Sequence, residues 1–307
     1  MTREYEVIII GGGPAGLSAG IYTARSRLSG LLIEKAMLGG LIANAEKVEN
    51  YPGFPDGVSG LEIGGLMQRQ ASKFGLETVI SEVQGLTLNG ELKTVKTSAG
   101  NYTARAVIVA SGSEHTRLDV PGEEEFTGKG VSFCATCDGY FFQDKTVAIV
   151  GGGNAALSEA LLLTKFANKV FVVHRRNELR ATRIVQEKAL AEPKIEFRLN
   201  SAVSAIEGND FVERLKLRNL ESGETSTLKV NGVFIAVGFK PSTDFLKTVL
   251  PLDSAGYIVT NEKMETEVPG IFAAGDVRSN SIRQVIAAAG DGATAAIYAE
   301  KYLGEHR

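Results

Sequence analysis

The chain has 307 residues, 44% hydrophobic and 22% charged, the balance of a globular protein with enough length for two domains of ordinary size. A formal net charge of −3 gives no electrostatic case for a nucleic-acid or membrane partner, and no apolar stretch reaches the length of a membrane span. There are only two cysteines, Cys134 and Cys137, and no signal-peptide pattern, which argues against a disulfide-stapled secreted protein and for a cytoplasmic one.

The first apolar run, Val7 to Ile10, is rich in β-branched residues and reads as a buried parallel strand. It enters Gly11-Gly12-Gly13-Pro14-Ala15-Gly16, followed by a helical pattern from Leu17 to Arg25 and a second strand, Leu31 to Ile33. Strand, glycine-rich turn, helix and strand make the βαβ unit that binds dinucleotides. Gly11 permits the turn, Gly13 lets backbone approach a pyrophosphate, and Gly16 keeps helix and strand close. The helix N-terminus then offers free N–H groups to the phosphates. Glu34 ends the next strand, ahead of Lys35, where its carboxylate can accept from an unphosphorylated ribose diol. A further strand, Val107 to Ala110, ends in Ser111-Gly112.

Cys134-Ala135-Thr136-Cys137-Asp138 carries the most chemistry. Two thiols at this spacing can close a small disulfide and exchange it through a thiolate. Asp138 is a candidate proton donor to a leaving thiolate, which would need a raised pKa. Zinc is the rival reading, but the only further nitrogen ligands are His115, His174 and His306, and no metal site is expected. Two buried, inert cysteines are the other alternative.

The first pattern then repeats. Val147 to Val150 enters Gly151-Gly152-Gly153-Asn154-Ala155-Ala156, a helical stretch from Leu157 to Phe166 follows, and Val170 to Val173 is the next strand. Gly151, Gly153 and Ala156 fill the three small positions. Gly151 lies 140 residues after Gly11, and the same offset from Glu34 lands on His174, followed by Arg175 and Arg176, with Arg180 a helical turn on. Guanidinium groups pair with a 2′-phosphate where an acid would repel it, so this site favours NADPH; a solvated basic surface is the alternative. Val233 to Gly238 echoes Val107 to Gly112, and a later strand-like segment ends in Gly275-Asp276. The fold class expected is therefore α/β, with two Rossmann-like three-layer domains, the second inserted into the first. The division is 1–112 with 243–307, and 113–242. A C-terminal helix from Arg283 to Tyr302 should pack back on the first domain.

Taken in order, Gly11-Gly-Gly-Pro-Ala-Gly16, Cys134-Ala-Thr-Cys-Asp138-Gly139, Gly151-Gly-Gly-Asn-Ala155, His174-Arg-Arg176, Gly275-Asp276-Val277 and Arg283-Gln284 resemble the low-molecular-weight thioredoxin reductases over essentially the whole chain. The resemblance implies an FAD domain in two segments, an inserted NADPH domain carrying the redox disulfide, and a homodimer. It implies that Gly11, Gly13, Pro14, Ala15, Gly16, Glu34, Lys35, Gly39, Gly40, Leu41, Asn50, Gly112, Gly275, Asp276, Arg283, Gln284 and Val285 contact or shape the FAD site. Gly151, Gly153, Asn154, Ala155, Ala156, His174, Arg175, Arg176 and Arg180 would serve NADPH. Electrons would pass from NADPH through the flavin to Cys134–Cys137, with Cys137 facing the flavin and Cys134 attacking the partner disulfide. The inserted domain would rotate between the two steps about hinges near Gly112-Ser113 and Gly238 to Thr243.

The chain departs from the family at two places. Leu41 stands where Gln is usual, and the following Ile42-Ala43-Asn44-Ala45-Glu46-Lys47 is altered. Some relatives altered here have lost NADPH specificity, whereas His174-Arg175-Arg176 argues for its retention. The expected partner is thioredoxin or a similar small redox protein. A glutaredoxin-like or peroxidase-component partner, or a reductant other than NADPH, would use the same thiols. Ferredoxin–NADP reductases share the nucleotide folds without the thiol pair. A flavin-bound redox sensor without turnover is the reading from a different class.

Overall fold

The computed structural model describes residues 3–45, 48 and 50–306, with the side chains of Asn44, Thr136 and Cys137 also outside the described set. The chain divides into two compact units, Met1–Glu114 with Lys240–Arg307, and His115–Phe239.

The first unit opens with β1 (Arg3–Ile10), α1 (Pro14–Arg25), β2 (Gly30–Glu34), α2 (Gly60–Lys73), β3 (Glu77–Ile80), β4 (Val83–Asn89), β5 (Leu92–Thr97) and β6 (Gly100–Val109). These strands form one sheet in the order β3-β2-β1-β6-β5-β4. β1 runs parallel to both β2 and β6, while β4, β5 and β6 form an antiparallel meander. The unbroken apolar character of residues 7–10 in β1 has a direct cause. Val7 and Ile9 lie in one apolar cluster and Ile8 and Ile10 in another, so both faces of the sheet are covered.

The chain leaves this unit on β7 (Ser113–His115). The second unit holds β8 (Val131–Ser132), α3 (Ala135–Asp138), β9 (Thr146–Val150), α4 (Asn154–Leu163), β10 (Lys169–Val173), α5 (Arg183–Ala191) and β11 (Ile195–Arg198). It continues with β12 (Ser201–Gly208), β13 (Val212–Asn219), β14 (Thr225–Lys229) and β15 (Gly232–Ile235). A parallel sheet of order β11-β10-β9-β15-β8 forms its centre, and β12-β13-β14 make a separate antiparallel sheet. Val147 and Ile149 pack with the residues of α4, and Ala148 and Val150 with the apolar residues of β12 and β13. Helix, parallel sheet and meander are thus three layers.

The chain returns through β16 (Phe239–Pro241), which pairs with β7, and ends with β17 (Ile271–Ala273) and α6 (Val285–Glu305). The division between units falls inside this ribbon, at 114/115 and 239/240, a few residues from 112/113 and 242/243. β17 lies parallel to the C-terminal part of β6, Val107 to Val109, while residues 100–104 of that strand pair with β5. α6 lies along α1 through small residues: a Cβ on Gly292 would stand 2.0 Å from the Ala15 carbonyl oxygen.

Three helices differ in their bounds from the sequence pattern. α1 and α4 begin at Pro14 and Asn154, ahead of Leu17 and Leu157, because Gly13 and Gly153 are already the N-caps. Proline suits the first helical position, where its missing N–H is no loss. α4 ends at Leu163, and α6 starts at Val285 because Arg283 has a left-handed φ of 52°.

Candidate nucleotide and disulfide sites

The first glycine turn is tight enough to fix its own composition. A Cβ on Gly16 would lie 1.8 Å from the Gly11 carbonyl oxygen, so α1 can sit this close to β1 only with glycine there. Gly13 caps α1 without a side-chain acceptor, which leaves the first N–H groups of the helix without intrahelical partners. Pro14 and Ala15 form its first turn. Glu34 spans the mouth: its Oε2 accepts from the Gly12 N–H at 2.7 Å and its Oε1 from the Ala36 N–H at 3.0 Å. A carboxylate has about four acceptor positions, so capacity remains for sugar hydroxyls. The Gly39 N–H donates to the Gly12 carbonyl at 2.8 Å, which brings Gly39 and Gly40 against the turn.

A second group of residues gathers at the start of α6. The Gly275 amide donates to Asp291 Oδ2 at 3.1 Å, and the same oxygen takes Arg278 Nε at 2.8 Å. Asp276 is half-buried, and its Oδ1 accepts from Ser281 Oγ at 2.8 Å. Burial raises its pKa, with the Ser281 bond and the Arg283 charge acting against the rise. Arg283 donates to the Tyr257 hydroxyl at 2.9 Å. Gln284 caps α6 and accepts from Asn50 Nδ2 at 2.8 Å, and Val285 packs on Val48, Val58 and Ile63. Three residues stand apart from both groups. Lys35 points outward to an ion pair with Glu114, Leu41 is exposed, and the Gly112 carbonyl accepts from Ser242 where the chain leaves the unit. Glu46 and Lys47 of the altered segment lie outside the described residues.

In the second unit Gly151 has a φ of 151°, and a Cβ there would meet the Ala236 carbonyl oxygen at 2.4 Å. Gly153 caps α4, and no atom lies within 4 Å of the place a Cβ would take. Ala155, exposed, and Ala156, buried, follow Asn154 in the first helical turn. The segment after β10 folds back over this turn. The Gly152 carbonyl accepts from the Arg180 and Ala181 amides at 2.7 and 3.1 Å, and Asn154 Oδ1 accepts from the Thr182 amide at 2.7 Å. Arg175, Arg176 and Arg180 are exposed, and none of them is ion-paired among the described residues. His174 does not stand with them. Its ring is buried beside Gly152, where an added Cβ would come within 2.5 Å of it. Burial first, and the Arg180 charge second, lower its pKa, and its Nε2 is buried without a partner.

Cys134 is disulfide-bonded, and the sequence contains one other cysteine, Cys137, whose side chain lies outside the described residues. The Cys134 amide donates to Ser132 Oγ at 3.0 Å, and its carbonyl accepts from the Asp138 amide at 3.1 Å, closing the single turn of α3. Asp138 is half-buried at the end of that turn. No cluster of three or more metal-ligating side chains occurs among the described residues.

Sequence reasoning passed over Asp291, Ser281, Tyr257 and Glu159. The first three hold Gly275, Asp276 and Arg283 respectively. Glu159 lies on α4 with one carboxyl oxygen buried and unpartnered, and burial raises its pKa to about 7 against a hydrogen bond from the Ala135 amide. A signal for it existed: Ala156, Glu159 and Leu163 share one helical face, the face that is buried.

The family model described as pyridine nucleotide-disulphide oxidoreductase matches residues 5–292. The chain is 47% identical over 306 residues to a thioredoxin reductase of Streptomyces coelicolor, covering 99% of this chain and 95% of that one. It is 45% identical over 309 residues to one of Peptoclostridium acidaminophilum, covering 99% and 98%. The solved structure of Lactococcus lactis thioredoxin reductase superposes with a TM-score of 0.85 at 40% identity, covering 98% of this chain and 99% of that one. With likeness of this extent in sequence and in fold, the chain belongs to the pyridine nucleotide-disulphide oxidoreductases, in the thioredoxin reductase family.

Proposed function

We propose that this protein is an NADPH-dependent thioredoxin-disulfide reductase, with FAD in the first unit and NADPH in the second. The observation that carries the reading is the disulfide at Cys134, just ahead of the second glycine turn, in a chain alike from end to end to thioredoxin reductases. Cytoplasmic location and a homodimeric state belong to the same reading, by likeness to the family.

The residues suit both nucleotides. FAD would lie along the uncapped N-terminus of α1, its ribose hydroxyls on Glu34, with Asp276, Arg283 and Gln284 toward the sugar-alcohol chain and the ring. The open backbone at Gly153 leaves room for the NADPH pyrophosphate, and Arg175, Arg176 and Arg180 supply charge for the 2′-phosphate. When bound, the flavin accepts hydride from the nicotinamide and passes two electrons to a disulfide. The reduced pair then works through its own atoms. Cys134 as thiolate would attack a sulfur of the partner disulfide and release the partner's other sulfur as thiolate. Cys137 would then attack the Cys134 sulfur of the mixed disulfide, re-forming the Cys134–Cys137 bond and releasing the partner's second thiolate, with Asp138 of the same turn as candidate proton donor to a departing thiolate.

Anaerobic titration of the yellow protein with NADPH and, separately, NADH tests the reading. Flavin absorbance is expected to bleach at far lower NADPH than NADH, and thioredoxin added afterwards is expected to restore it. Bleaching by neither nucleotide would show that another reductant feeds the disulfide. Restoration by a glutaredoxin-like protein but not thioredoxin would reassign the partner.

A further inference from the structure

Glu159 is the one acid of α4, and it is placed where an acid is costly. One carboxyl oxygen is buried and finds no partner, while the carboxylate accepts the amide of Ala135, the residue next to Cys134. α3 packs directly on α4, and Gly139, just beyond α3, lies against Leu163 and Phe166. The carboxyl therefore sits beneath the single turn that carries the disulfide.

The surroundings leave it electrostatically alone. No charged side chain contributes to its shift, which comes from burial with its pKa pushed up to about 7. The titratable groups on the neighbouring elements are the cysteines and Asp138 of the redox turn, the exposed Arg183, Glu187 and Lys188 of α5, and Lys169 of β10, which is paired with Glu196. Of these, only the cysteines change charge when electrons arrive. A new thiolate on the turn packed against α4 would disfavour the ionised carboxylate further.

We propose that Glu159 is a positioning residue for the disulfide chemistry: it holds the Cys134–Ala135 backbone and binds a proton when the pair is reduced. Reduction breaks the sulfur–sulfur bond with two electrons. One sulfur takes a proton from solvent, the other remains thiolate, and a second solvent proton goes to the Glu159 carboxylate. Reoxidation by the partner disulfide reverses both, and the released protons match those needed by the partner's thiols. This rests on the reading of Cys134–Cys137 as the electron acceptor.

The test is the pH dependence of the disulfide potential in the FAD-loaded protein, poised in mixtures of reduced and oxidised dithiothreitol. Above about pH 7, the wild type is expected to take up nearly one proton more per disulfide reduced than Glu159→Gln, so its potential falls more steeply with pH. Gln keeps an oxygen for the Ala135 amide, so a merely structural role would leave the two slopes equal, and equal slopes overturn the proposal. If the variant fails to hold flavin, infrared difference spectra of wild type labelled with carbon-13 glutamate decide. A protonated glutamate band is expected to grow on reduction, and its absence overturns the proposal. Dithiothreitol bypasses nucleotide and thioredoxin, so failure of the proposed function would show as a pair that NADPH cannot reduce, whatever the proton count.

Discussion

Arg175 and Arg176 directly follow the position that matches Glu34 of the first unit, so the two βαβ units differ in charge there. If they hold a 2′-phosphate, each supplies a charge-assisted hydrogen bond worth roughly 1.5–3 kcal/mol. Replacing both by alanine is expected to raise the KM for NADPH by roughly 10- to 1,000-fold, given about a factor of ten for each 1.4 kcal/mol and incomplete additivity. The KM for NADH and the kcat with either nucleotide are expected to change little, and steady-state kinetics with both would show it. An unchanged KM for NADPH would make these arginines ordinary surface charge. Their proposed role was open to sequence reasoning because the repeat places them directly after His174, the residue that matches Glu34. The inward turn of His174 was not, since an offset of 140 residues registers backbones and says nothing of rotamers.

Glu159 also carries a stability prediction at this scale. Its carboxyl has an ordinary pKa of about 4.5 in the unfolded chain, and burial pushes it up to about 7 when the chain is folded and disulfide-bonded. A raised acid pKa costs nothing while both states are protonated, costs more as pH climbs between those values, and is constant above them. Glu159→Gln is therefore expected to match wild type at about pH 4 and to be more stable by on the order of 2 kcal/mol at about pH 8. Chemical denaturation across this range measures the gap, and a gap that does not vary with pH would mean the carboxyl is solvated. The helical spacing of Glu159 with Ala156 and Leu163 puts it beside the buried face of α4 but does not say what covers it there. Its burial depends on the α3 turn, whose four residues leave no periodic trace.

Among the elements, those legible beforehand were buried on both sides. β2, β9, β10 and β15, with residues 7–10 of β1 and 106–109 of β6, hold runs of apolar residues that are unbroken because two layers cover them. The unassigned elements show one covered face or little cover at all. β14 buries only Leu228 within Thr-Ser-Thr-Leu-Lys, β3 buries none of its four residues, and α2 alternates glycine and polar residues around Ile63 and Met67. Such segments take their structure from neighbours in the sheet rather than from local pattern. The glycine turns are the opposite case, because sterics at single atoms dictate them. Gly16→Ala would drive a Cβ to 1.8 Å from the Gly11 carbonyl oxygen, a backbone atom that cannot yield unless α1 shifts off the sheet. The second turn carries a real Cβ at the same place, Ala156, so the constraint is particular to the first. The expected outcome is a loss of at least about 2 kcal/mol of stability and of most bound flavin, seen in the melting temperature and in absorbance after purification.

For the whole molecule, the proposed function separates into two half-reactions that depend on different parts of the chain. Reduction of the flavin needs the two glycine turns and the arginines, residues from both units. Passage of electrons to an external disulfide needs in addition a nucleophilic sulfur at Cys134, the cysteine already shown to be disulfide-bonded. Replacing its sulfur by oxygen changes one atom and none of the backbone bonds that Ser132 and Asp138 make to residue 134. A serine hydroxyl is a far weaker nucleophile than a thiolate at neutral pH, and it cannot form the mixed disulfide. Cys134→Ser is therefore expected to bleach its flavin with NADPH at a rate within a few-fold of wild type, while its thioredoxin turnover falls at least about 1,000-fold. Stopped-flow absorbance reads the first half and a coupled thioredoxin assay the second. Loss of both halves would place the defect in the fold or in the nucleotide sites, and would remove the assignment of Cys134 to the exchange step. Loss of the second alone would tie partner reduction to this one sulfur.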